Sequence, residues 1–163
     1  MDNTMKRQVL DVTVWLVSLT MTLILFAHQA VADNKILPVN NDRYKAECGS
    51  CHIAYPPQLL PAPAWRRIMS GLNTHFGTDA NVDARTAAEI NAYLGSNAGT
   101  DRRAASPTDT LRITESAWFR REHREVPIAA WKHTAVKSAA NCTACHTAAE
   151  QGDFRERNIR IPR

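Results

Sequence analysis

Long apolar runs and strand-like alternation are both missing from this sequence of 163 residues. The main apolar run, Val12–Ala27, is shorter than the roughly 20 residues that a membrane-spanning helix needs. No segment shows a convincing period-2 alternation of apolar and polar residues. A nucleic-acid-binding motif is also missing, and the formal net charge is only +4. The sequence therefore predicts a mainly α-helical protein with long loops that binds no nucleic acid.

The first 32 residues follow the pattern of a secretory signal peptide. Lys6 and Arg7 precede the apolar run, and Ala30-Val31-Ala32 places small residues where signal peptidase cleaves. We predict cleavage after Ala32 and export, with no membrane contact afterwards; an uncleaved N-terminal anchor is the alternative. About 130 residues then remain for one small domain or two very small ones. Two domains of that size cannot bury large hydrophobic cores, so they need covalent cross-links or cofactors for stability.

Cysteine is scarce, and all four cysteines fall in two copies of one motif. Cys48-Gly-Ser-Cys51-His52 and Cys142-Thr-Ala-Cys145-His146 both read C-x-x-C-H, which is the attachment pattern of haem c. Two thiols at this spacing can each bond one vinyl group of the same porphyrin, and the next histidine then reaches the iron. We predict two haem c groups. The thioether residues are Cys48, Cys51, Cys142 and Cys145, and His52 and His146 are axial ligands.

Other uses of paired cysteines fit the sequence less well. A zinc ribbon has its two pairs roughly 15–20 residues apart and gives no reason for a histidine after each pair. A thioredoxin-like motif accompanies a βαβ pattern, which this sequence lacks. Two disulfides in an oxidising compartment remain an alternative.

The second axial ligand of each iron has few candidates. Methionine is nearly absent, since only Met69 lies beyond the predicted leader, so two histidine–methionine haems are excluded. Three further histidines remain, His75, His123 and His133. His75 continues an apolar helical stripe, and His123 shares a face with Phe119. His133 points away from the stripe around it, so it is the runner-up to His123.

The chain divides into two halves around a polar segment. The predicted organisation is a signal peptide (1–32), a first haem c domain (33–96), a linker (97–112) and a second haem c domain (113–163). Helices are predicted over 40–52, 63–76 and from an N-cap at Asp83 in the first domain. The second domain is predicted to contain helices at 114–126, 128–136 and 139–151. Because the chain is short, we expect the haems to form much of the core.

These residues resemble the small bacterial dihaem cytochrome c family. The matching segments are residues 44–52, 59–65, 75–77 with Asp79-Ala80, Trp118-Phe119 with His123, and 141–146 with Ala149, Gly152 and Phe154, together with Ile161-Pro162. The resemblance implies two helical haem domains with bis-histidine irons, in which His75 and His123 are the distal ligands. It also implies a periplasmic location, and a monohaem cytochrome or a membrane cytochrome b as redox partner.

Three function classes follow, and the leading one is an electron carrier between a membrane or soluble donor and another redox protein. A dihaem enzyme of the peroxidase or oxyanion-reductase type is the alternative, and it needs one open iron and a nearby proton donor. A sensor is the third class, although the chain leaves little room for an output domain. No catalytic cluster is evident in the sequence, so a carrier is favoured over an enzyme.

Overall fold

The backbone is built from short helices and tight turns. We describe it from a computed structural model, which covers residues 36–100, 104 and 111–162. The predicted signal peptide and most of the predicted linker lie outside these residues. Within them the α-helices are α1 (Asp42–Cys48), α2 (Ala62–Ser70), α3 (Ala84–Asn97), α4 (Ala117–Glu122) and α5 (Ile128–Trp131). Six 3₁₀ turns accompany them, at Pro57–Leu59, Leu72–Thr74, Ile113–Glu115, Cys142–Ala144, Ala149–Gln151 and Glu156–Asn158.

Local capping explains where most of these helices begin. Asn41 accepts a hydrogen bond from the Tyr44 amide at the start of α1. Asp83 accepts one from the Thr86 amide at the start of α3, as the sequence predicted. In the second half the cap is Ser116, which is buried and accepts from the Phe119 amide. The prediction that a helix starts at Thr114 was therefore wrong, because residues around it form a separate 3₁₀ turn.

Several helices in the described residues are shorter than predicted, although α3 is not. The first ends at Cys48 rather than running to residue 52, and α2 ends at Ser70 instead of reaching Phe76. The segment 139–151 forms two 3₁₀ turns and no α-helix, so that prediction was wrong as well. The pattern of apolar residues fitted a helix, but tertiary contacts decide whether a marginal helix continues. The fold class is confirmed nevertheless: the described residues are mainly helical and contain no strands, only isolated bridges.

The hydrophobic core of the first half lies between α2 and α3. Its buried members are Val39, Tyr44, Leu60, Ala64, Trp65, Ile90 and Leu94. Trp65 also donates an indole hydrogen bond to the Pro57 carbonyl, at 2.7 Å. The packing of α2 on α3 stabilises the first half through its own side chains, since every buried aliphatic side chain contributes about 1.5–3 kcal/mol.

Contacts between the two halves place their sites next to each other. The Tyr55 hydroxyl donates to the Ala140 carbonyl at 2.8 Å. Gly152 lies directly against Pro38: a Cβ there would sit 2.7 Å from the Pro38 Cα, and its φ of +74° also favours glycine. The described residues belong to one compact unit. The division into two haem domains remains a prediction.

Candidate functional site

The first cysteine motif straddles the end of α1. Cys48 is the last residue of the helix, and Cys51 and His52 follow in a turn. Gly49 makes this turn possible, because a Cβ at this position would meet the Lys45 carbonyl oxygen at 2.3 Å. The helix end and the turn together project both thiols and the imidazole from one short segment.

Two neighbours orient the His52 ring. Its Nδ1 lies 2.7 Å from the Ile53 carbonyl oxygen. Because a carbonyl oxygen only accepts, Nδ1 carries the proton and Nε2 keeps a free lone pair for a metal. The Tyr55 ring stacks on a face of the imidazole, with 4.7 Å between ring centroids and 23° between planes. The imidazole is therefore fixed in both tautomer and direction.

His75 faces His52 from a strained turn after α2. The residue follows the 3₁₀ turn Leu72–Thr74, and Phe76 and Gly77 beside it have φ values of +48° and +97°. A positive φ is uncommon for a bulky residue and indicates a constrained backbone. The His52 and His75 ring centroids lie 6.2 Å apart, with 31° between their planes. The structure thus brings together the two histidines predicted for the first site.

The second cysteine motif lies on a 3₁₀ turn. The His146 amide donates to the Cys142 carbonyl at 2.8 Å, so the motif closes into one turn around its two cysteines. Cys145 in turn accepts at its carbonyl from the Arg160 amide, also at 2.8 Å. These bonds tie the motif to the chain's last segment.

His123 is the histidine that faces His146. It ends α4, where its Nδ1 donates to the Phe119 carbonyl at 2.9 Å and its ring stacks on Phe119 at 4.0 Å. The His123 and His146 centroids lie 6.1 Å apart with 75° between planes. Trp131 and Phe154 flank this pair, with centroids 5.8 Å from His123 and 5.3 Å from His146. An aromatic enclosure thus surrounds the second pair.

Both ring separations have the length that a shared metal requires. A first-row metal binds an imidazole nitrogen at about 2.0 Å, and about 1.15 Å more separates that nitrogen from its ring centre, so two axial imidazoles have centres about 6.3 Å apart. The observed values are 6.2 Å and 6.1 Å. Each histidine pair therefore has room for one iron between its rings, and the chain's residues fit two haem groups.

His133, the runner-up for the second distal position, is used differently. Its Nδ1 accepts a hydrogen bond from the Ala135 amide at 3.1 Å, within the turn after α5. The ring is exposed in part, and the histidine that faces His146 is His123.

Burial favours the neutral form of one histidine in each pair and of one cysteine in each motif. Burial lowers the pKa of His75, and the neighbouring His52 and Arg112 lower it further. Burial also lowers the pKa of His146, with His123 adding to the effect and Asp153 opposing it. Neutral imidazole is the form that binds a metal. Burial raises the pKa of Cys48 and of Cys142 to about 11, which favours the neutral thiol in the folded chain.

The four cysteines form no disulfide, and the described part of the chain contains no group of three or more histidine, cysteine or acidic side chains that would hold a metal ion by themselves. A zinc site of the ribbon type needs four such ligands together. A haem iron needs only two protein ligands, because the porphyrin supplies the rest. Two facing histidines beside each cysteine pair therefore suit haem.

Sequence reasoning missed Tyr55 and Arg112. Tyr55 stacks on His52, and burial raises the pKa of its hydroxyl, with Cys142 nearby adding to the effect. The Arg112 guanidinium lies 4.2 Å from the centre of the Phe76 ring, beside His75. The Arg112 contact joins segments that are far apart in the chain, and the Tyr55 stack joins residues three apart outside any helix, so neither has a periodic signal in the sequence.

Comparison with known proteins agrees with this geometry. The family description "dihaem cytochrome c" matches residues 44–154. The chain belongs to the dihaem cytochrome c family. A comparison with curated proteins gave no significant match. Within the described residues, no helix has the length and apolar character to cross a membrane.

Three solved structures resemble the dihaem cytochrome c described here. A crystal structure of the protein named DHC from Rhodobacter sphaeroides is 42% identical, with a TM-score of 0.64, over 72% of this chain and all of that one. A dihaem cytochrome c from the same organism is 39% identical, with a TM-score of 0.65, over 72% and 99%. A dihaem cytochrome c from Shewanella baltica is 41% identical, with a TM-score of 0.66, over 75% and 93%. Two c-type haems are therefore the cofactors of this protein, and its family is one of electron-transfer cytochromes.

Proposed function

We propose that this dihaem cytochrome c is a periplasmic electron carrier with two bis-histidine irons. His52 and His75 hold the first iron, and His146 and His123 hold the second. The observation that carries the proposal is the pair of ring separations, 6.2 Å and 6.1 Å, each matching two imidazoles on one iron. With both axial positions taken by strong ligands, neither iron has an open site for a substrate.

When bound, haem c supplies one-electron redox chemistry at its iron. The protein's part is to hold both imidazoles in place, so that the ligand set does not change with oxidation state. The hydrogen bonds from His52 to Ile53 and from His123 to Phe119 serve this purpose. Histidine in place of methionine as second ligand gives lower reduction potentials. We therefore expect both midpoints to lie below those of a histidine–methionine cytochrome.

The location and partners belong to the same proposal. The N-terminal pattern of Lys6, Arg7 and Ala30-Val31-Ala32 supports export, with a mature chain that begins at Asp33. A redox protein, either a monohaem cytochrome or a membrane cytochrome b, would exchange electrons with it. Mass spectrometry of the exported protein checks the first part: an intact Met1 would contradict cleavage.

Carbon monoxide tests the ligation directly. The purified protein is reduced with dithionite, and its optical spectrum is recorded before and after carbon monoxide is added. Unchanged c-type bands are expected, since both irons are already six-coordinate. A shift of either Soret band would mean that one iron is open, and would favour the enzyme of the peroxidase or reductase type.

A further inference from the structure

Tyr55 lies where the two haem-binding sites meet. Its ring stacks on His52 of the first site, with centroids 4.7 Å apart and planes 23° from parallel. Its hydroxyl donates to the Ala140 carbonyl, at 2.8 Å, across 85 residues of sequence. One side chain therefore contacts an iron ligand of the first site and the backbone next to the second motif.

The contact continues from Ala140 into the second site without a gap. The same Ala140 carbonyl oxygen also accepts a hydrogen bond from the Cys142 amide, at 3.1 Å. Cys142 is the first thioether residue of the second motif. The route from His52 to Cys142 thus consists of one ring stack, one side chain and two hydrogen bonds to a common oxygen.

The surrounding chain holds Tyr55 in this position. The buried Tyr44 donates its hydroxyl hydrogen bond to the Tyr55 carbonyl at 2.9 Å. Pro56 and Pro57 follow at once, and both are among the most fully buried side chains. Proline restricts its own φ and the conformation of the residue before it. Tyr55 is therefore placed by rigid backbone, which is what a fixed contact between two sites requires.

We propose that Tyr55 couples the two haem sites electronically, as the bridge between the His52 imidazole and the Cys142 backbone. This rests on the proposed ligation of the first iron by His52. Electron tunnelling is faster through bonded and tightly packed atoms than across gaps, and this route is a continuous series of a ring stack and two hydrogen bonds between the two motifs. Tyr55 is a positioning and coupling residue, and it binds no substrate.

The electron balance of the step is simple. One electron leaves the reduced iron of one site and one electron reaches the oxidised iron of the other, so the protein as a whole is neither oxidised nor reduced. Tyr55 stays a phenol throughout. Its hydroxyl proton points at a carbonyl oxygen, which accepts a hydrogen bond but is too weak a base to take the proton.

The test compares the holoprotein with Tyr55→Phe and Tyr55→Leu. Phenylalanine keeps the ring on His52 and removes only the hydrogen bond to Ala140, whereas leucine removes both. Tyr93→Phe is the matched control, because the Tyr93 hydroxyl also takes part in a long-range hydrogen bond, from the Asn40 amide at 3.1 Å, away from the route. Exchange between the two haems is measured in half-reduced samples by NMR exchange spectroscopy of the haem methyl resonances. Dilution separates intramolecular exchange from exchange between molecules.

The expected result is a severalfold slower intramolecular exchange in Tyr55→Phe, a larger loss in Tyr55→Leu, and the wild-type rate in Tyr93→Phe. Electron paramagnetic resonance signals and midpoints of both haems should not change in Tyr55→Phe, since no ligand is altered. Wild-type exchange in Tyr55→Phe, with both haems low-spin, would overturn the proposal, and this variant decides alone if the leucine variant fails to assemble. Failure of the proposed function has a separate signature, which is binding of carbon monoxide by the wild-type protein.

Discussion

The two halves of this cytochrome build similar haem sites on unequal scaffolds. In the first half, α2 and α3 have 9 and 14 residues and enclose a continuous apolar cluster. In the second half, α4 and α5 have 6 and 4 residues. The buried apolar side chains there are few, namely Phe119, Ala130, Val136 and Ala149. Helices this short are not stable by themselves, so we expect the second half to depend more on its haem for stability than the first half does.

The two histidine pairs also differ in which of their rings is oriented by a hydrogen bond. In the first site the anchored ring is the motif histidine, His52, through its bond to Ile53. In the second site the anchored ring is the distal one, His123, whereas Nδ1 of His146 is buried without a hydrogen-bond partner in the described part of the chain. The comparison teaches that a facing histidine pair can be oriented through either of its rings. In the second pair the helix end orients His123, whereas the His146 ring has no such hydrogen bond among the described residues.

Removal of one haem at a time should give the largest difference in stability between the two halves. The double variants Cys48→Ser/Cys51→Ser and Cys142→Ser/Cys145→Ser should each carry one haem instead of two, as read by mass spectrometry. Amide hydrogen exchange should then show loss of protection across 111–162 in the second variant. The first variant should keep protection in α2 and α3, because these helices pack on each other through their own apolar side chains. Equal loss in the two variants would contradict the unequal scaffolds.

Replacement of the distal histidines should open one iron at a time. His75→Ala and His123→Ala should each make one of the two haems bind carbon monoxide, which shifts one Soret component. His133→Ala is the matched control and should leave the spectrum unchanged, because His133 bonds within its own turn. A carbon monoxide complex in His133→Ala, and none in His123→Ala, would reverse the assignment of the second site.

Truncation of buried side chains should give a smaller difference in stability between the two halves. Leu94, 1% exposed, lies in the first core, and Leu94→Ala should lower the free energy of unfolding by about 2–5 kcal/mol. Val136→Ala in the second half should cost about 1.5 kcal/mol, as expected for two methylene equivalents. Ile128→Ala, at a side chain 73% exposed, should change it by less than about 0.5 kcal/mol. Guanidinium titration of the holoproteins measures all three, and a Val136→Ala cost equal to that of Leu94→Ala would argue against the smaller second core.

Acid should produce the smallest difference, and we expect to see it at Asp153 in the second half. Asp153 accepts hydrogen bonds from the Arg155 side chain, the Arg155 amide and Asn158, and these lower the pKa of its carboxyl group. A lowered pKa in the folded state means that the ionised carboxylate stabilises the fold above its usual value of about 3.9, and that this contribution is lost as the pH falls below it. Between pH about 4 and about 2, the wild type should therefore lose more stability than Asp153→Asn. Parallel acid-unfolding curves would show that these bonds contribute nothing.

Local patterns in the sequence predicted where a helix begins better than how far it extends. The Asp83 cap of α3 was predictable, because capping acts over three residues. The extent of α2 was not, since the apolar pattern continues to Phe76 while the backbone turns away at Gly71. The segment 139–151 was read as helix for the same reason: periodicity reports which residues are apolar and does not report how many turns the packing will support.

The sequence by itself determined the chemistry of this protein, because the C-x-x-C-H spacing acts within a single turn and needs no distant partner. It also limited the second ligands to three histidines and Met69. Only the tertiary structure decided which histidine faces which motif, and that Tyr55 meets Ala140 between the two sites. The physical reason is distance along the chain. Contacts between residues far apart in sequence depend on how whole segments pack, and no local period records that packing.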